Sequence, residues 1–194
     1  MSSGTTAERI LEATKHSLLE GGYAALSTRG IAEQASVPLS QIHYHFGSKG
    51  QLVLSLLEAE NKQRLERQTS MYAADQPLWK QWEQACDFLE EDLASGYVRV
   101  LQEMAAAGWS DEHVAARVRD DLRGWFRLLT RVTERFEAEV GGLGPFEPAE
   151  VATLAGVAFL GAETLILLGF GEDDVPTRAA LRKVGSLIRS VEER

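Results

Sequence analysis

TRGIAEQASVPLSQIHYHFGSK, residues 28–49, decides the reading of this 194-residue chain, because it spells two short helices joined by a tight turn. Ser27 or Thr28 supplies an N-cap, and Thr28, Ile31, Ala32 and Ala35 recur at i, i+3, i+4 and i+7, one face of a helix. Ser36 and Val37 interrupt the pattern. Pro38 then brings the fixed φ suited to the first position of a second helix, which reaches about Phe46. At about 100° per residue, Leu39, Ile42 and Phe46 gather on one side of it. Ser40, Gln41 and Tyr44 gather on the other, flanked by His43 and His45. Helix faces turned to water usually carry Lys and Glu. This one offers hydroxyl, amide, phenol and imidazole groups, which suit base edges and phosphate oxygens in a major groove.

Ser40, Gln41 and Tyr44 are therefore candidates for base-edge contacts, with Leu39 able to meet a thymine methyl. Thr28, His43 and Lys49 are placed for phosphate. Thr28 and Lys49 stand at helix N-termini, where free N–H groups and the helix dipole favour an anion. Arg29 reaches either backbone or groove edge. A metal site at His43 and His45 is excluded: residues i and i+2 point about 200° apart on a helix, and no cysteine or acidic partner stands at ligand spacing.

The order of elements resembles the N-terminal DNA-binding domain of the TetR family of bacterial transcriptional regulators. ERILEATKHSLLEGGY (8–23) matches the family's first helix ending in Gly-aromatic, and STRGIAEQA (27–35) its Thr-initiated second helix. SQIHYHF (40–46) matches the recognition helix, and GSKGQL (47–52) the Ser-Lys opening of a fourth helix. Four elements at family spacing make the match specific over roughly the first quarter of the chain. Two positions depart from the pattern. Ser36 stands where the family usually turns on Gly, so a positive φ there would cost up to about 1 kcal/mol. His43 takes a place usually held by Tyr.

Hydrophobic content of 44% and charged content of 25% are those of an ordinary soluble globular protein. The single cysteine, Cys86, excludes an intramolecular disulfide framework and fits a reducing compartment. No basic stretch followed by an apolar one begins the chain, so no signal peptide is expected. The net charge of −9 is unevenly spread: residues 1–50 balance four basic against four acidic side chains, and the whole excess lies beyond them. An acidic body repels phosphate, which disfavours indiscriminate adhesion and favours docking through one patch.

Beyond residue 50 the periodicity stays helical, with no convincing strand. A helix from Ser48 to about Arg67 has Leu52, Leu56 and Ala59 on its inner side. Another opens at Asp75-Gln76-Pro77, a shorter one ends near Ala107, and a long one runs from Ser110-Asp111 to Val140. GGLGP (141–145) connects these to two final helices, near Pro148–Leu168 and Thr177–Glu193, nine in all. Residues 151–170 are apolar all round, but Glu163 and the acidic run that follows argue against a membrane span. Leu181, Val184, Ile188 and Val191 form a coiled-coil-like seam. Such helices need cover, and two pairs across a two-fold axis would form a four-helix bundle, a homodimer through the last two helices.

Trp79, Trp82, Cys86, Leu101, Met104, Trp109, Trp125 and Phe126 give the C-terminal body an aromatic and sulfur-rich inventory. It suits either an ordinary core or a small-molecule pocket, for which Trp82, Cys86, Met104, Trp109, Phe126 and Glu163 are the candidates. Glu163 needs an internal partner or a cationic or hydroxylated ligand. Arg119, Arg123, Arg127, Arg131 and Arg135 drift around their helix beside acidic residues and read as a solvated, ion-paired face. No nucleophile with a base, P-loop or metal motif appears, so neither enzyme activity, cofactor nor metal is expected.

The expected architecture is all-α, with residues 1–50 a helix-turn-helix DNA-binding domain and 51–194 a helical regulatory and dimerisation domain. The resemblance implies a cytoplasmic repressor, released from a pseudo-palindromic operator by a small-molecule effector. The alternative is a helical homodimeric interaction protein without specific DNA binding.

Overall fold

Local chemistry starts the chain on its fold. Thr5 and Glu8 form a capping box, and α1 (Thr6–Ala25) follows, broken internally at Gly22, whose φ is 72°. A side chain at Gly22 would strain that backbone and press on Glu103 and Arg99 about 3 Å away, so Gly22 ends the regular helix. Ser27 caps α2 (Thr28–Gln34), its Oγ accepting from the Gly30 N–H at 3.1 Å. Pro38 precedes α3 (Leu39–Phe46), which Gly47 closes at a φ of 75°. The remaining elements are α4 (Lys49–Ala73), α5 (Leu78–Ala94), α6 (Tyr97–Gly108), α7 (Glu112–Val140), α8 (Pro148–Leu167) and α9 (Thr177–Glu192). This computed structural model describes residues 4–193 and, among them, holds nine helices and no strand.

The chain divides into two compact units. One contains the chain up to Gln63 together with Gly96–Asp120; the other contains Arg64–Ser95 and everything from Asp121 on. In the first, Ile10, Ile31, Ile42, Leu52 and Leu57 are fully buried and form the core under α1, α2 and α3. Ala59, expected inside, is exposed, while Val53 and Leu57 take the inner face instead. The α6 helix belongs to this unit: Arg99 donates to the Leu19 carbonyl at 2.9 Å, and Glu103 accepts the Tyr23 N–H.

In the second unit α5 packs along α9. Trp82 Nε1 donates to the Leu181 carbonyl at 2.7 Å, and Glu192 accepts the Leu78 and Trp79 N–H groups at 2.6 and 3.2 Å. Glu192 thereby caps a helix whose own N-cap, Pro77, has no side-chain acceptor. Gly156 on α8 leaves room for the Phe126 ring of α7, which a Cβ there would overlap. Along the predicted seam on α9, Leu181 is buried, Val184 and Ile188 are half-buried and line a cavity whose wall includes the exposed Leu154 of α8, and Val191 is exposed. The apolar side chain that α9 leaves most open is Leu187, 66% exposed.

The α4 helix runs to Ala73, six residues beyond the expected end near Arg67. Its last turns hold because partners from outside the helix satisfy its terminal carbonyls. Gln81, fully buried, donates through Nε2 to the carbonyls of Met71, Tyr72 and Ala74 at 3.4, 3.3 and 3.0 Å. Arg135 donates to the Tyr72 carbonyl at 2.7 Å and to Gln81 Oε1 at 2.9 Å.

Candidate nucleic-acid interface

The α3 helix is held by its apolar side. Ile42 is fully buried, and Leu39 and Phe46 are half-buried. The opposite side is open: Ser40, His43, Tyr44 and His45 are exposed, with Tyr44 at 81% and Gln41 half-buried beside it. A phenol held that far into water gains little from burial, and its ring meets His45 edge-on at 5.1 Å between centroids. Arg29 is exposed and Thr28 half-buried at the start of α2.

The turn between α2 and α3 is fixed from α1. Arg9 donates through Nη2 to the carbonyls of Ala35 and Ser36, a contact that sequence reasoning missed because the partners lie 26 and 27 residues away. Ser36 does adopt the left-handed region, at a φ of 53°, the only described non-glycine residue with a positive φ.

Two phosphate candidates carry internal commitments. His43 Nδ1 lies 3.0 Å from the Gly47 carbonyl, which can only accept, so Nδ1 holds the proton. In the neutral ring Nε2 is then an acceptor, and only the doubly protonated ring would donate to phosphate. The Lys49 ammonium donates to the Tyr23 carbonyl at 3.3 Å and sits 4.4 Å over the Tyr23 ring. This anchors the start of α4 to the end of α1. Ser48 caps α4 as expected, its Oγ accepting from the Gln51 N–H at 3.2 Å.

The pocket candidates scatter. Met104 is fully buried and Trp109 is 89% exposed, and both lie in the unit that holds α3. In the second unit, Cys86 is buried and Phe126 lies against Gly156. Burial pushes the Cys86 thiol up to about 11, with Arg182 acting weakly against it, so the thiolate is scarce at neutral pH. Trp82 borders two cavities. The larger, about 280 Å³, is walled by Trp82, Leu129, Val132, Phe136, Val184 and Ile188 among others. The smaller, about 40 Å³, is bordered by Gln68, Asp92, Trp125, Phe159 and Glu163. Tyr72, Trp82, Leu129 and Ala155 line both. Among the described residues no cluster of His, Cys, Asp or Glu could hold a metal ion. On the arginine row, Arg119 pairs with Glu112 as an ion-paired face would, whereas Arg135 pairs with Glu139 and also turns inward to the Tyr72 carbonyl and Gln81.

Comparison with known proteins fits this geometry. Residues 10–56 match the family described as bacterial regulatory proteins, tetR family. Solved structures of TetR-family regulators share the fold of the whole chain. A TetR transcription regulator from Haloarcula marismortui superposes at a TM-score of 0.77 with 20% identity, over 95% of this chain and 96% of that one. A TetR-family regulator from Agrobacterium tumefaciens gives 0.75 with 22% identity, over 95% and 96%. The transcriptional regulator FadR from Bacillus subtilis, solved in complex with stearoyl-CoA, gives 0.74 with 16% identity, over 95% and 98%. No curated protein matches the sequence.

Proposed function

We propose that this chain, with its tetR-type N-terminal segment and TetR-family fold, is a cytoplasmic, sequence-specific transcriptional regulator. It docks α3 in the major groove of a pseudo-palindromic operator as a homodimer, represses, and leaves when a small molecule fills the cavity of its second unit. The observation that carries the reading is the open face of α3, where Ser40, Gln41 and Tyr44 offer uncharged donors and acceptors above a buried Ile42. Arg29 and Thr28, with His43, supply backbone contacts that set register, and Lys49 adds positive charge at the start of α4.

One eight-residue helix reads too few base pairs to find a site in a genome. Two copies a helical turn apart, about 34 Å, read a palindrome. The cover missing from α8 and α9 supports the pairing: Leu154 and Val157 on α8 are each 57% exposed, beside Leu187 on α9. By length and composition α8 could cross a membrane. Glu163, buried about one turn before its end, disfavours that environment, and a second copy of the same apolar face suits it.

Switching needs a part shared by cavity and reading head, and α4 is continuous from Lys49 to Ala73. Tyr72, near its end, lines both cavities, while its carbonyl is gripped by Arg135 and Gln81. A ligand that displaces Tyr72 perturbs the end of that helix, and a coupling of about 1–3 kcal/mol suffices to change operator affinity.

The combined substitution Gln41→Ala and Tyr44→Ala tests the reading. Operator affinity should fall by more than about 1 kcal/mol with fold and dimer unchanged. Unchanged affinity would mean that α3 does not read DNA.

A further inference from the structure

The larger cavity is unusual in what its wall lacks. Among the described residues, no charged side chain borders it. Of the polar groups that do, Trp82 Nε1 is committed to the Leu181 carbonyl at 2.7 Å, and Thr133 Oγ1 lies 2.8 Å from the Pro148 carbonyl. Tyr72 differs. It is 5% exposed, its hydroxyl has no hydrogen-bond partner among the described residues, and it stands where the larger cavity adjoins the smaller. We infer that the site takes an uncharged ligand with an apolar body about the size of two fused rings and one hydroxyl or carbonyl group, which pairs with Tyr72 Oη at the junction.

This rests on the reading of the second unit as a ligand sensor and names the ligand's class. Size follows from volume: an apolar cavity of about 150 Å³ holds one benzene ring, and this one is nearly twice that, at about 280 Å³. Charge is excluded by the wall. An anionic or cationic group in the larger cavity would lose its water without gaining a counter-charge. Toward the smaller cavity an anion would also meet the carboxylates of Asp92 and Glu163, and a cation would find both already engaged, Asp92 with Arg64 and Arg67 at 2.9 and 2.8 Å and Glu163 with a partner of its own. The polar group matters because Tyr72 Oη opens onto the cavity: a hydrocarbon that fills the space strips this hydroxyl of water and leaves it unpaired, whereas a ligand that pairs with it gains selectivity over its hydrocarbon analogue. Burial also raises the Tyr72 phenol above its ordinary range, so it stays a neutral donor and acceptor at any physiological pH.

Four probes of one shape decide it: naphthalene, 2-naphthol, 2-naphthoate and 2-naphthylmethylammonium, titrated by calorimetry at pH 7 into the full-length wild-type protein and into Tyr72→Phe. We expect 2-naphthol to bind about tenfold more tightly than naphthalene, and both charged probes at least tenfold more weakly than 2-naphthol. In Tyr72→Phe the naphthol-to-naphthalene ratio should fall to about one, with naphthalene affinity kept and the melting temperature unchanged or raised. A charged probe binding most tightly, a naphthol preference that survives Tyr72→Phe, or a marked fall in that variant's melting temperature overturns the inference. The wild-type series judges charge exclusion without any variant. Binding of none of the four defeats both the ligand class and the sensor reading. Tyr72-dependent naphthol binding that leaves operator affinity unchanged defeats the sensor reading alone.

Discussion

Replacing Ser36 by glycine should stabilise the helix-turn-helix, and the size of the gain follows from the backbone. Ser36 sits at a φ of 53°, where a Cβ crowds the following carbonyl and costs about 1–2 kcal/mol. Its exposed side chain contributes no hydrogen bond that would offset this. Its backbone does all the work: the N–H donates to the Glu33 carbonyl at 3.0 Å, and the carbonyl accepts from Arg9 at 2.9 Å. Glycine keeps both bonds and removes the crowding, while its freer unfolded chain costs back roughly 0.5–1 kcal/mol. The net expectation is a gain of about 0.5–1 kcal/mol. Asparagine, which tolerates the left-handed region, should fall between serine and glycine, and alanine should be no better than serine. Urea denaturation of the four proteins, followed by far-ultraviolet circular dichroism, measures the series. Should alanine equal or exceed glycine, the turn does not carry the strain assigned to it.

Loosening the clamp on α4 should be costly: Gln81→Ala removes one donor from three carbonyls and one acceptor from Arg135, which keeps the Tyr72 carbonyl, and about 1–3 kcal/mol should be lost in urea unfolding, with faster amide exchange at residues 70–73. Leu187→Glu, at a side chain 66% exposed, should shift the protein from dimer to monomer in sedimentation experiments without lowering helix content. Cys86 should resist alkylation at pH 8 in the native protein, because burial raises its thiol from 9.0 to about 11, and should react at once when unfolded. The folded protein holds that proton more tightly, so this group's contribution to stability is complete below pH 9 and is lost as the pH climbs towards 11.

Local features of the fold were legible and non-local ones were not. The helix-turn-helix could be read because its signals lie within a few residues of what they control: Ser27 and Ser48 as caps, Pro38 before α3, and the Leu39, Ile42 and Phe46 face. The strain at Ser36 was legible as a departure from the family's Gly. The end of α4 was not, since its last turns depend on Gln81 and Arg135, far along the chain. The pocket was legible in composition but not in membership. An aromatic inventory cannot say which helices share a wall, and so Met104, on α6, lies in the core of the first unit while Trp109 stands in solvent. Tyr72 was overlooked because it closes a helix read as ending earlier. The α9 seam had helical spacing, but periodicity marks an apolar stripe without saying how much of it α5 covers: Leu181 is buried and Val191 is 38% exposed.

The account stands or falls on what α3 reads. Purified protein should be selected against random duplex DNA at physiological salt, and the bound pool sequenced. The account predicts an enriched motif with two-fold symmetry and half-sites about one helical turn or a small multiple apart, lost in the Gln41→Ala, Tyr44→Ala variant. A folded, ligand-free dimer that enriches no sequence would contradict it.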